Sequence, residues 1–165
     1  MPSAAFDEAL DALLLASRAV VGIAARSLPP WADVSLVQFR ALVLLERDGT
    51  MKPGTLAELL GVSPSTVTGL CDRLEGRGLI VRELGAENRR EVLMELSPTG
   101  KALVDSAIAA RRLEMARILE RIPARQLKGM TAALNAIATA AGESPEQAWS
   151  AGWKTAPPAG EDGST

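Results

Sequence analysis

The stretch LAELLGVSPSTVTGLCDRL, residues 56–74, sets two apolar-striped segments on either side of a glycine. Thr55 can cap a short first helix that Gly61 ends. Ser63 can cap a second, with Pro64 at its first position, where a missing N–H costs nothing. Val67, Leu70, Cys71 and Leu74 fall on one side of that second helix, and Ser65, Thr66, Thr68, Gly69, Asp72 and Arg73 on the other. The small Ala57 stands where the two helices cross, Gly61 allows the sharp turn, and Val67 and Leu70 lock the second helix on the first. This spacing fits a helix-turn-helix, but it also describes an ordinary helical corner.

The flanking sequence separates the two. The second helix should run to about Arg77, with Gly78 as a left-handed stop. LIVREL (79–84) and EVLMEL (91–96) are rich in β-branched and apolar residues, and the polar GAENRR lies between them. That pattern predicts a β-hairpin, and a hairpin directly behind the second helix makes a winged helix.

Helices should flank this unit on both sides. Phe6, Leu10, Leu13, Leu14, Val20, Val21 and Ala24 recur at helical spacing over 4–28, up to Pro29-Pro30. Ser35-Leu-Val-Gln38 is a capping box opening a helix to about Arg47, closed by Asp48-Gly49. TMKP, at 50–53, is too short for more than a token strand. Ser97-Pro98 opens a long helix over 98–122, stopped by Pro123. A last helix over 124–141 sets Leu127, Met130, Leu134, Ile137 and Ala141 in a seam of the kind that packs against another helix. The tail, 143–165, is rich in Pro, Gly and Ser, yet Ser144-Pro-Glu-Gln147 is a further capping box and Trp149 and Trp153 lie one turn apart. It reads either as a loose tail or as a short docked helix.

The predicted fold is mainly α (α+β). An N-terminal dimerisation helix (1–32) precedes the winged helix-turn-helix domain (33–97), and C-terminal dimerisation helices (98–142) follow it. The apolar seams of the terminal helices are hard to bury in a single copy of so small a chain.

Composition narrows the chemistry. The chain has 165 residues, no histidine and a single cysteine, Cys71. Zinc sites want several His or Cys ligands, and Ser-His or Cys-His nucleophile pairs need the imidazole. No nucleotide-cradling glycine loop is present. An enzyme is therefore not expected, and neither is a metal or cofactor. One cysteine cannot form an intrachain disulfide, and the start carries Asp7, Glu8 and Asp11 where a secretory signal wants positive charge. The longest apolar runs fall far short of a membrane span. These features predict a cytoplasmic protein.

Net charge is −2, and residues 50–101 balance seven cations (Lys52, Arg73, Arg77, Arg82, Arg89, Arg90, Lys101) against seven anions (Glu58, Asp72, Glu75, Glu83, Glu87, Glu91, Glu95). Any DNA affinity must come from the placement of charge. Small hydroxyls near a helix N-terminus suit phosphate contact and can touch base edges. Ser63, Ser65, Thr66, Thr68, Gly69 and Arg73 are thus the candidate contacts of the second helix, the plainer reading being caps and solvated surface. Asn88, Arg89 and Arg90 are the candidates on the hairpin tip, where an arginine suits a narrow minor groove. Cys71, on the apolar side, reads as a small hydrophobe with Arg73 as its nearest base in sequence. Arg111, Arg112, Arg117 and Arg121 are interspersed with Glu114 and Glu120 and read as a solvated or dimer-rim face.

SLVQFRALVLLERDG, LAELLGVSPSTVTGLCDRLEGRGLIVRE and NRREVLMELSPTGKAL, in order over 34–103, resemble the MarR family of transcriptional regulators. The resemblance implies a dimeric winged-helix repressor on a pseudo-palindromic operator in double-stranded DNA, often released by a small, frequently aromatic, effector. Such an effector would sit where the dimer helices meet the winged domain, with Arg18, Trp31 and Arg40 as candidate lining. Two positions depart from the family pattern. Gly69 stands where an arginine often follows Thr-Val-Thr, and Asn88 stands where the wing usually begins Asp-Arg-Arg. Both departures, with the neutral charge balance, leave a rival reading: a winged-helix protein–protein module with weak or no specific DNA binding.

Overall fold

The computed structural model describes residues 3–85 and 91–143. Its elements run α1 (Ala4–Arg26), a 3-10 turn (Pro30–Ala32), α2 (Leu36–Asp48), α3 (Pro53–Leu60), α4 (Pro64–Gly76), β1 (Ile80–Leu84), β2 (Val92–Leu96), α5 (Pro98–Leu119) and α6 (Ala124–Ala140). The mainly helical fold with a small antiparallel sheet is the one expected. The expected capping box and a possible docked helix at 144–153 lie outside the described residues.

Local chemistry sets most of the boundaries. Ser35 and Gln38 form the reciprocal capping box at the start of α2, and Ser63 accepts from Thr66 N at the start of α4. Gly61 and Gly78 take left-handed φ of 66° and 68° at the ends of α3 and α4, where a β-carbon would be strained. Three boundaries differ from expectation. Helix α3 begins at Pro53 with Lys52 as its N-cap and no side-chain bond, so Thr55 is already inside it. Proline is pre-set for the first helical position and needs no cap for the N–H it lacks. Helix α1 ends at Arg26, because the buried Ser27 hydroxyl turns back to donate to Ile23 O at 2.6 Å before the prolines are reached. Helix α5 ends at Leu119: Arg121 N and Ile122 N bond three residues back, and the residue before Pro123 is sterically kept from helical backbone.

The core gathers around α2, whose Phe39 and Ala41 to Leu45 are all buried. Leu56 and Ala57 of α3, Val67, Leu70, Cys71 and Leu74 of α4, Ile80 of β1, Met94 of β2, and Leu103, Val104 and Ala107 of α5 complete it, with Leu79 between α4 and β1. The hairpin pairs Ile80 with Leu96, Arg82 with Met94 and Leu84 with Val92. Met51 exchanges two backbone bonds with Met94, the token strand expected of residues 50–53. Helix α5 is seated on the end of the sheet by Ser97, which donates to Gly78 O at 2.6 Å and accepts from Gly100 N at 2.9 Å. A β-carbon at Gly100 would fall 2.0 Å from Leu79 O, so only glycine permits this approach.

Outside that core the terminal helices are bare. Ile23 is the only buried residue of α1, and α6 has none. Phe6 (57% exposed), Leu14, Val20 and Val21 of α1, Leu113 and Ile118 of α5, and Leu134 and Ile137 of α6 all face solvent. Arg26 and Glu114 form an ion pair that ties α1 to α5.

Candidate nucleic-acid interface

Helix α4 is held from behind and open in front. Val67, Leu70, Cys71 and Leu74 fix its inner side in the core. The turn from α3 is closed by Gly61 N to Glu58 O and Val62 N to Ala57 O, both 3.1 Å. On the outer side, the Ser63 hydroxyl lies 2.9 Å from Ser65 Oγ and 2.8 Å from Thr66 Oγ1. Thr68 Oγ1 donates to Pro64 O at 3.0 Å. These bonds tie the hydroxyls to one another and to the backbone on an exposed helix start. Arg73 is exposed one turn further on and, among the described residues, carries no ion-pair partner. An added β-carbon at Gly69 would meet nothing within 4 Å, so this position is a gap in the helix's outer surface and not a packing requirement.

Thus the structure brings Ser63, Ser65, Thr66, Thr68, Gly69 and Arg73 onto one outer surface. Asn88, Arg89 and Arg90 lie outside the described residues. The base of the wing is well fixed: Arg82 on β1 reaches Asp72 Oδ1 at 2.5 Å and Glu75 Oε2 at 3.4 Å on α4, and Lys52 pairs with Glu91 at 2.9 Å. The Arg82 bridge was not visible in the sequence beyond a balance of charges.

Cys71 is buried with its sulfur 3.1 Å from Met94 Sδ. Burial pushes its thiol pKa up, and the nearby Arg82 guanidinium only partly opposes this. The neighbouring base is Arg82, brought across by the hairpin, and not Arg73.

The candidate effector residues lie on three different elements. Arg18 is exposed on α1, and Trp31 is 63% exposed in the 3-10 turn. Arg40 is ion-paired with Glu143 at 2.5 Å. A shallow hollow of about 450 Å³ lies instead between the start of α2 and the end of α4, lined by Asp33, Val34, Ser35, Gln38, Arg73 and Arg77. Arg77 pairs there with Asp33, at 2.6 Å. None of Arg18, Trp31 and Arg40 lines it.

A helix-turn-helix pinned to a core, its outer side polar and its next element a hairpin, defines a winged helix-turn-helix module. The model of the MarR family matches residues 34–92. Over 108 residues the chain is 32% identical to the helix-turn-helix transcriptional regulator YfiV of Bacillus subtilis, covering 66% of this chain and 68% of that protein. It is 35% identical over 86 residues to the transcriptional repressor MdtR of the same organism, covering 52% and 56%. The crystal structure of RV1404 from Mycobacterium tuberculosis superposes with a TM-score of 0.80 at 38% identity, covering 88% of this chain and 99% of that one. The chain belongs to the MarR family of helix-turn-helix transcriptional regulators.

Proposed function

We propose that this regulator is a homodimeric, cytoplasmic repressor that binds a pseudo-palindromic operator, α4 being the recognition helix of each protomer. The observation that carries the reading is the outer side of α4: hydrogen-bonded hydroxyls and an exposed Arg73, without an ion-pair partner among the described residues, on a helix whose inner side is buried in the core. With α4 in the major groove, Ser63, Ser65 and Thr66 would meet phosphates, and Thr68, Gly69 and Arg73 would face base edges. Asn88, Arg89 and Arg90 would reach the backbone or minor groove from the wing. Repression is inferred from the similarity to MdtR of Bacillus subtilis, a transcriptional repressor.

The dimer rests on the bare apolar surfaces of α1, α5 and α6, which a second copy would cover. Residues 1–32 and 98–142 then form the dimerisation unit and 33–97 the DNA-binding unit. A small aromatic effector would act between them, where Arg18, Trp31 and Arg40 become neighbours of a site only if the second protomer closes it. The test of the reading is selection of genomic fragments by the purified protein at low salt. Enrichment of one inverted-repeat sequence is expected. Enrichment of none would favour the protein–protein module that Gly69 and Asn88 leave open.

A further inference from the structure

Helix α4 carries two carboxylates, Asp72 and Glu75, on the side turned to the wing. Asp72 lies one turn beyond Thr68 and next to Arg73, and its side chain is 56% exposed; that of Glu75 is 43% exposed. A bare carboxylate at this place repels a phosphate backbone whose charge dominates affinity. Neither is bare. Arg82 crosses from the middle of β1 with Nη2 2.5 Å from Asp72 Oδ1 and Nε 3.4 Å from Glu75 Oε2. The arginine itself is held at both ends. Its backbone pairs with Met94, whose side chain is fully buried, and its own side chain is only 29% exposed. With its guanidinium facing two acids and largely covered, Arg82 is placed to act on DNA through α4 and not by touching it.

We propose that Arg82 is a positioning residue for DNA binding, bridging Asp72 and Glu75 so that both carboxylates are masked while the base of the wing is fixed against the recognition helix. The proposal rests on α4 being the DNA-contacting helix. It ties the charge that α4 shows to the phosphates to the docking of the hairpin: with Arg82 in place the cluster carries one net negative charge, and without it two. A plain structural brace would predict a different response to charge, because a brace is not repaired by removing the acids it holds.

The experiment uses the full chain and an operator fragment recovered with the wild type, with affinity read by fluorescence anisotropy across a salt series and folding read by circular dichroism. Arg82→Ala should bind about tenfold more weakly, a factor that one uncompensated charge readily supplies. Arg82→Lys should recover most of the loss. Arg82→Ala combined with Asp72→Asn and Glu75→Gln should return to within about threefold of wild type. If Arg82→Ala does not fold, Asp72→Asn with Glu75→Gln beside the native Arg82 decides: binding as tight as wild type or tighter supports masking, and weaker binding overturns it. Unchanged affinity in Arg82→Ala would overturn the proposal, as would a triple variant as weak as the single one. A wild type that binds no fragment removes the reading of α4 and this proposal with it. A wild type that binds while Arg82→Ala is unaffected removes this proposal alone.

Discussion

Gly69 and Cys71 sit two residues apart on α4 and pose opposite questions. Gly69 costs the helix about 1 kcal/mol of propensity against alanine, and nothing within 4 Å of its missing β-carbon explains the cost. Gly69→Arg should therefore raise the melting temperature and, by giving a cation reach toward phosphate or guanine, tighten operator binding in a gel-shift titration. With no clash inside the chain, weaker binding would mean that DNA itself approaches the glycine backbone. Cys71 is buried against Met94 and its thiol is held protonated by burial. Cys71→Ala should lower stability by about 1 kcal/mol and leave DNA binding equally insensitive to peroxide and reductant. Because the folded-state pKa of the thiol is raised, its contribution is present below the ordinary thiol range and is lost as pH climbs past about 9. Urea midpoints should thus fall more steeply above that pH in wild type than in Cys71→Ala. The burial of Cys71 was legible from its place beside Val67, Leu70 and Leu74. Its charged neighbour was not, since Arg82 reaches it only through the hairpin.

At the scale of elements, α4 was legible from end to end because its signals are local: Ser63 and Pro64 at the start, Gly78 past the end. The start of α3 was misread because Pro53, two residues ahead of Thr55, already supplies helical φ. The Arg82 bridge depends on strand register, Arg82 opposite Met94, which apolar patterning of two short strands does not specify on its own. Gly100 makes the same point more strongly. In sequence it is one more residue of a helix opened by Ser97-Pro98, and in space it is the contact that lets α5 rest on Leu79. Gly100→Ala would force backbone apart at a carbonyl 2.0 Å away, and should cost about 2–3 kcal/mol, the upper part of the usual overpacking range. A lower denaturant midpoint with an unchanged slope checks it. A midpoint equal to wild type would show that α5 and β1 can separate without cost.

For the whole molecule, the decisive feature is the exposed apolar surface of α1, α5 and α6 among the described residues. The seam of Leu134 and Ile137 was legible from spacing alone, whereas the absence of any buried residue on α6 is a property of the assembled fold. If a second copy covers α1, α5 and α6, Ile137→Glu places an unpartnered charge in that interface and should abolish the dimer and operator binding together. Light scattering that still finds a full-strength dimer would place the interface on other residues. The hollow lined by Asp33 and Arg77 was not legible, because it depends on how the start of α2 and the end of α4, far apart in sequence, meet in the fold. The central claim is that two copies of α4 read one operator. Hydroxyl-radical footprinting on the selected fragment tests it most directly. The account predicts two protected regions related by a two-fold axis, with half-site centres about one helical turn apart, roughly 10 bp. A single asymmetric footprint, or none at protein concentrations that saturate the fragment, would contradict it.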